Sequence, residues 1–359
     1  EILNAFPYNE KSQLEKLGLT SFLRGSSGLE LKKQIYMEPS MSVCGLEAGE
    51  LYNGARGIVP HKAYARIGFY LVANQSPDKV EEQLREHLRK HGFEHFTITS
   101  TRAFETIFKI TYEIIGDPKI SIIIPNKDHV EDLRRCVTSI IEKSTYDNYE
   151  IVIVENNSET KEIFSYYEEL KNNPSIKIVT FKGAFNYSAV NNFGVGAATG
   201  DYVLLLNNDT QVITVNWLEE LLMYAQREDV GAVGGKLYYA DKTIQHAGVV
   251  IGLGAHRTAG HTHYRQKREN LGYMGRLCYA QDVSAVTGAC LMVKKKLYEE
   301  AGGLDEGFAV SLNDVDFCLR VRALGYRVLF TPYAELYHYE SKSRGLDTKG
   351  PALALIVVQ

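Results

Sequence analysis

Tryptophan occurs once in 359 residues, methionine five times and proline nine times. No two cysteines form a C-x-x-C pair. The five present (Cys44, Cys136, Cys278, Cys290, Cys318) are scattered through apolar settings. An odd, dispersed set speaks against a disulfide frame and for the reduced thiols of a cytosolic chain. No apolar run approaches the roughly 20 residues that cross a bilayer, and no stretch reads as a signal peptide. The expected location is therefore the cytoplasm, with a peripheral place at the inner face of the membrane as the alternative. Positive charge is not in excess either. Lys and Arg number 40 against 44 Asp and Glu, for a net charge of -4, which argues against a nucleic-acid partner. Repeats and low-complexity tracts are also missing, so organisation has to be read from local pattern.

What is present is ordinary for a globular chain: 45% hydrophobic and 23% charged residues. The length exceeds what one core usually absorbs and points to two domains. The 23 tyrosines suit sugar or nucleotide surfaces, and equally an ordinary core and surface. The first hundred residues read as one α+β unit. Strands are expected over 40–46 and, from a period-two alternation, over 63–72. A glycine-rich turn at 53–57 lies between them. Asp78 begins a helix over 79–91 that Gly92 ends, and 93–99 returns as a strand. Residues 101–118 read as a connecting segment and 346–359 as a tail.

From residue 119 the texture changes. Ile120-Ser121-Ile122-Ile123-Ile124-Pro125 is a continuous apolar run, as in a parallel strand covered on both faces. A helix over 130–142, strands over 149–155 and 176–181, a helix over 187–198 and a strand over 201–206 follow. This alternation predicts an α/β domain over 119–345 with a doubly wound, mostly parallel sheet. Ligands bind beyond the carboxyl ends of such strands. There the polar tails Pro125-Asn126-Lys127, Glu155-Asn156-Asn157-Ser158 and Asn207-Asn208-Asp209 should gather at one edge.

Three constellations carry chemistry. Asp209, at the exit of a buried strand, can hold a hard divalent cation against phosphates, or serve as a plain turn residue. Asp314 and Asp316 open a helix with expected apolar positions Phe317, Leu319, Val321 and Leu324. They can be caps on its dipole, or Asp314 can be a general base. His338, in Leu336-Tyr337-His338-Tyr339-Glu340 beyond a strand-like 326–330, is a candidate metal ligand or a satisfied histidine.

In order along the chain, Ser121-Ile122-Ile123-Ile124-Pro125-Asn126, Val154-Glu155-Asn156-Asn157-Ser158, Asn191-Asn192-Phe193-Gly194, Ala198-Thr199-Gly200-Asp201-Tyr202, Asn207-Asn208-Asp209, Ala301-Gly302-Gly303-Leu304-Asp305-Glu306 and Asn313-Asp314-Val315-Asp316 resemble family 2 glycosyltransferases of the GT-A, Rossmann-like fold. The resemblance covers some 230 residues. It implies an inverting, metal-dependent transferase that moves a sugar from a nucleotide-diphosphate donor. Pro125, Asn126, Glu155, Asn157, Asn192, Asn207 and Asn208 would bind the nucleotide sugar, with Glu155 on its base or ribose. Asp209 and His338 would hold Mn²⁺ or Mg²⁺, and Asp314 would take the proton of the acceptor hydroxyl. Two positions depart from the pattern: Asn207 replaces the first Asp of D-x-D, and Asn313 replaces the acid before Asp314. With fewer carboxylates the metal should be held loosely, with the nucleotide helping to recruit it.

Between these motifs lie His246-Ala247-Gly248, His256, His261 and His263. Their spacing lacks the helical i,i+4 pairing of a zinc site, and a loop closing over the substrates is the preferred reading. Thr287 and Gly288 would line the sugar pocket with Asp316 and His261. The arrangement looks like bacterial rhamnosyltransferase and O-antigen enzymes, which implies a growing surface glycan or lipid-linked saccharide as acceptor. A non-catalytic nucleotide-sugar binding module is the alternative.

The first hundred residues differ. Phe6-Pro7-Tyr8-Asn9-Glu10, Gly57-Ile58-Val59-Pro60 and Leu71-Val72-Ala73-Asn74-Gln75-Ser76-Pro77-Asp78 resemble the ferredoxin-like lid, or dimerisation, domain of two-zinc aminoacylase and carboxypeptidase-type peptidases. That family's metal-binding domain has no counterpart here, so peptide hydrolysis is not expected. A folding or pairing module is, with Ser40 to Leu46 as a strand edge that could join a homodimer. A peptidase-family lid protein is the third functional reading, an artificial fusion is an alternative origin, and the apolar ending 352–359 reads as a truncated end.

Overall fold

The computed structural model describes residues 2–22, 25–48, 63–71, 75–90, 96–101, 103, 107–253 and 258–339. Its contacts divide the chain after His95. The expected turn at 53–57, Gly92, His256, Glu340 and the tail at 346–359 lie outside the described residues.

The first unit contains helices α1 (Ile2–Ala5), α2 (Glu10–Leu17) and α3 (Gly28–Tyr36), strands β1 (Ser40–Ala48) and β2 (Ala63–Tyr70), and helix α4 (Pro77–Lys90). Asn9 caps α2 by accepting the Ser12 N–H at 3.0 Å, and Gly18 closes it with φ 64°. β1 and β2 pair antiparallel, with a register shift between Val43 and Gly45. Among the described residues this pair is the unit's sheet.

The second unit opens with a hairpin, β3 (Phe96–Ser100) and β4 (Phe108–Tyr112). Residues 96–99, expected to end the first domain, and 108–112, expected within the connector at 101–118, thus belong to a hairpin of the second unit. The reason is packing. The Tyr112 ring meets Tyr224 edge-on at 5.7 Å, the Tyr224 hydroxyl donates to the Ile110 carbonyl at 2.9 Å, and the Lys109 ammonium pairs with buried Glu220. A chain shortened to begin at Thr111 loses Lys109 and Ile110 and leaves Glu220 short of its cation. It should melt well below a chain beginning at Phe96. Equal melting temperatures by calorimetry would make the hairpin a mere linker.

The remaining elements are β5 (Ile120–Asn126), α5 (Val130–Lys143), β6 (Tyr149–Glu155), α6 (Lys161–Leu170), β7 (Ile176–Thr180), α7 (Tyr187–Ala197), β8 (Tyr202–Leu206), β9 (Thr210–Val212), α8 (Trp217–Ala225), β10 (Val230–Tyr238), β11 (Ile244–His246), β12 (Val249–Ile251), β13 (Ala259–His261), β14 (Gln281–Asp282), β15 (Cys290–Lys294), α9 (Lys295–Glu300), α10 (Asn313–Ala323) and β16 (Arg327–His338). The main sheet runs β14-β16-β10-β15-β8-β5-β6-β7, with β11 on β10 and β9 on β16. β7, β6, β5 and β8 are parallel. β15 inserts antiparallel between β8 and β10, so β10 and its parallel partner β16 return to the direction of β8. The sheet is therefore mostly parallel by strand direction.

Both faces are covered. Ile120, Ile122 and Ile124 pack toward α5, α6 and α8, while Ile123 packs toward α7, α9 and α10. That is why β5 reads as an unbroken apolar run. α5 buries Leu133, Cys136, Val137 and Ile140, the one-sided helical repeat. Gly194 lets α7 approach closely, because a Cβ there would lie 2.5 Å from Ile123 Cγ2. α10 differs from expectation: Leu319 and Leu324 are exposed, and Phe317, Cys318 and Val321 are buried. Leu319 lies about 200° around the helix from Phe317, whereas Val321 returns near it.

At the edge opposite the strand ends, the Glu150 carboxylate accepts from Ser121 Oγ (2.6 Å), Thr199 N (2.6 Å), Thr199 Oγ1 (2.9 Å) and Lys119 Nζ (3.1 Å). Burial alone would raise its pKa, but these donors favour the charged form and bring it down to about 2. A depressed carboxylate pKa gives stability that is present above the ordinary glutamate range and lost as pH falls toward 2. Glu150→Gln should therefore melt lower than the parent at pH 7, with the gap closing in acid. A constant gap across pH would refute this role.

Candidate active site

The parallel strands deliver their polar tails to one edge, as expected. The Asn208 amide donates to Asn126 Oδ1 at 2.7 Å, and Asn156 N–H donates to the Asn126 carbonyl at 2.9 Å. Pro125, one residue earlier, is half-buried within β5. The Asn126 amide donates to Tyr167 Oη at 2.8 Å. Asn157 adopts φ 57°, and its amide donates to the Gly183 carbonyl at 2.8 Å.

β16 runs unbroken through Pro332 to His338, further than the strand expected to end at 330. Proline is tolerated there because the pairing with β10 skips between Phe330 and Glu335. β9 then pairs His338 with Thr210, and Tyr339 N–H donates to the Asp209 carbonyl at 2.9 Å. These ladders bring His338 to Asp209 across more than a hundred residues of sequence. His338 Nε2 lies 3.1 Å from Asp209 Oδ1 and 3.1 Å from the Asn207 amide nitrogen. Its Nδ1 donates to Gln245 Oε1 at 2.8 Å, so Nε2 is the acceptor that the Asn207 amide and Asp209 both flank. A carbonyl acceptor behind the ring is how metal-ligating imidazoles are oriented. Adjacent ligands of an octahedral cation with bonds of about 2.1 Å stand about 3 Å apart, so this pair fits one divalent ion. Among the described residues no three His, Cys, Asp or Glu side chains form such a group.

A cleft of about 220 Å³ opens beside this pair, lined by Tyr187, Asn207, His261, Thr287, Gly288, Asp314 and His338 among others. Asp314 sits in the first turn of α10, entered through Leu312 at φ 63°. Its Oδ2 accepts the Gly288 N–H at 2.8 Å, and its Oδ1 accepts the Val315 N–H at 2.8 Å. The Tyr187 hydroxyl reaches both Gly288 O (3.0 Å) and Asn207 Oδ1 (3.1 Å), tying the Asp314 side of the cleft to the His338 side. A Cβ on Gly288 would stand 3.1 Å from that hydroxyl.

The histidine segment divides. Gly248 N–H donates to His246 Nε2 at 3.3 Å, so the His246 proton belongs on Nδ1 and points at His261 Nδ1, 2.8 Å away. His261 then carries its own proton on Nε2. Burial holds the His246 pKa well below the usual range, keeping it neutral. His263 is not among the residues lining the cleft.

Several expected site residues do other work. Asp316 takes two bonds from Arg320, at 2.8 and 2.7 Å. Arg320 in turn donates to the Ala301 carbonyl and, at 2.8 Å, to Gly303 O. Asp316 therefore braces the turn at 301–303 and is not among the residues lining the cleft, where it was expected. Asn192 accepts from Tyr298 Oη (2.6 Å) and Leu304 N (2.9 Å) and donates to Leu304 O (2.9 Å), so it clamps the same turn. Glu155 is 4% exposed. Both its oxygens are taken, by Ser158 N, Ser158 Oγ and Tyr167 Oη, each at 2.6 Å. It organises the loop around Asn126. Tyr187 and Gln245 escaped the sequence reading as site residues, and His246 entered it only as a member of the histidine segment. Each sits in an apolar stretch, and only their partners mark them.

A profile described as glycosyl transferase family 2 matches residues 121–302. An uncharacterized protein of Sinorhizobium fredii is 41% identical over 290 residues, covering 78% of this chain and 31% of the relative. An O-antigen biosynthesis protein of Myxococcus xanthus is 38% identical over 265 residues, covering 74% of this chain and 20% of the relative. The chain thus spans less than a third of either relative. Among solved structures, GalNAc-T7 with UDP, GalNAc and Mn²⁺ aligns with a TM-score of 0.54 at 16% identity, over 69% of this chain and 49% of the other. That likeness extends to the fold.

Proposed function

Because the chain belongs to glycosyltransferase family 2, we propose that its cleft transfers a hexosyl or rhamnosyl group from a nucleotide-diphosphate sugar to a glycan or lipid-linked saccharide. One observation carries the reading: Asp314 and His338 line the same cleft, and Tyr187 bonds link its two sides. Asp209 and His338 would hold Mn²⁺ or Mg²⁺. When bound, the cation neutralises charge on the departing diphosphate. Asn126 and Asn208 bind the nucleotide end. The His261 Nε2–H offers a neutral donor within the cleft. Asp314 accepts the proton of the attacking hydroxyl, and a single displacement inverts the anomeric centre.

Asn313 supports catalysis over mere binding. Its amide donates to Phe308 O at 3.3 Å and its oxygen accepts the Asp314 N–H at 2.8 Å, so the missing acid at this position belongs to a structural role. The O-antigen relative favours a cell-surface glycan as acceptor. Among the described residues no helix is long and apolar enough to cross a membrane. Pairing of two copies through the first unit belongs to the same proposal. A screen of nucleotide sugars with and without Mn²⁺, read by nucleotide release and thermal stabilisation, tests it. Stabilisation by a donor with no release for any acceptor offered would instead favour a binding module.

A further inference from the structure

A second cavity, of about 750 Å³, is lined by Lys236, Arg268, Tyr238, Tyr333, Glu335 and Thr214 among others. None of these residues serves the transfer proposed above. Lys236 lies in β10, flanked by β15 and β16, and is only 5% exposed. Among the described residues its ammonium has no hydrogen bond or ion pair. Its neighbours are the Tyr238 ring, with the centroid at 5.4 Å, and the charge of Glu335.

Glu335 is already committed. One oxygen takes the Arg268 guanidinium at 2.9 Å and the other takes the Tyr238 hydroxyl. Glu269 stands exposed at the rim. Burial holds the Lys236 pKa below the usual lysine value, with Glu335 opposing the shift. A buried cation without a matched partner is destabilising, and an apolar side chain in mid-strand would not carry that cost. A lysine held against a cavity in this way is accounted for by a ligand that brings the anion. Arg268 has N–H groups to spare beyond the one given to Glu335.

We propose that this cavity is an anion subsite in which Lys236 and Arg268 hold a carboxylate or phosphate monoester carried on a saccharide. Glu335 and His338 stand three residues apart on β16, so they face opposite sides of the strand and the cavity is separate from the transfer cleft. The saccharide half of the proposal rests on the transferase reading; the anion half rests on the cavity.

The test is isothermal titration of the full chain, in excess chelator and without donor, so that no transfer activity is required. The probes are glucuronate, glucose 6-phosphate and glucose. At least one anionic sugar should bind and glucose should not. Glucuronate alone would identify a carboxylate ligand, and glucose 6-phosphate alone a phosphate ligand. Lys236→Met keeps most of the side chain's length without its charge and should weaken anionic binding tenfold or more, with a melting temperature equal to or above the parent. Arg268→Gln should weaken it as well, with Lys236→Met deciding if the freed Glu335 unfolds that variant. Equal binding of glucose and the anionic sugars, or unchanged affinity in Lys236→Met, overturns the subsite. Inorganic phosphate bound as tightly as glucose 6-phosphate overturns its saccharide half. Because turnover is never read, a chain inactive in transfer would leave this result intact.

Discussion

Asp314→Asn leaves donor binding near that of the parent while turnover falls by roughly two to four orders of magnitude, the span usual for loss of a general base. The geometry sharpens this expectation. An amide oxygen at 314 can keep the Val315 N–H or the Gly288 N–H, each 2.8 Å from the carboxylate, but not both. A modest loosening of the sugar end of the cleft is therefore expected alongside the chemical loss, because Gly288 is also held by Tyr187. Isothermal titration for donor affinity and a product assay for rate, on one preparation, separate the two effects. If Asp314 were only a helix cap, asparagine would serve about as well and turnover would hardly change. Unchanged turnover would also be hard to reassign to Asp316, whose carboxylate is occupied by Arg320.

Asp209→Ala should abolish nearly all transfer, and excess chelator should do the same to the parent chain. On the proposed reading Asp209 and His338 are the chain's two ligands, so losing one would leave His338 alone to hold the ion. The fold should survive, since the backbone bond from Tyr339 N–H to Asp209 O and the β9–β16 ladder do not use the side chain. Melting temperature and circular dichroism check the fold while the product assay checks transfer. Full activity in excess chelator would remove the metal from the reaction and leave Asp209 as a turn residue. Mn²⁺ binding to the parent chain, followed by titration, should be tighter with a nucleoside diphosphate present than without one, since the chain would supply only Asp209 and His338.

Much of this is legible in the sequence. The apolar run at Ile120 to Pro125 announced a strand covered on both faces, and the alternation after it announced the parallel half of the sheet. Polar tails after β5, β6 and β8 were expected at one edge, where the structure brings them together, because parallel strands must end together. Three things were less legible. The hairpin at 96–112 looked like a boundary because its partners, Glu220 and Tyr224, are more than a hundred residues away. Antiparallel β15 carries an apolar sequence indistinguishable from that of its parallel neighbours, since burial sets composition and pairing direction does not. Asp316, Asn192 and Glu155 carry the side chains a ligand site would use, and only contact with Arg320, Leu304 and Ser158 reveals that they brace loops instead.

The sequence by itself determined the element order from β5 to β8, the two-faced covering of its strands and the identity of Asp209, Asp314 and His338 as candidates, because periodicity and strand-end polarity are local properties. Tertiary structure alone decided which of them meet. The β9–β16 ladder sets His338 against Asp209, Gln245 orients its ring, and Tyr187 with Gly288 binds Asp314 to the same cleft. These are contacts between segments far apart in the chain, and their geometry follows from strand order and register, which no single stretch of sequence encodes.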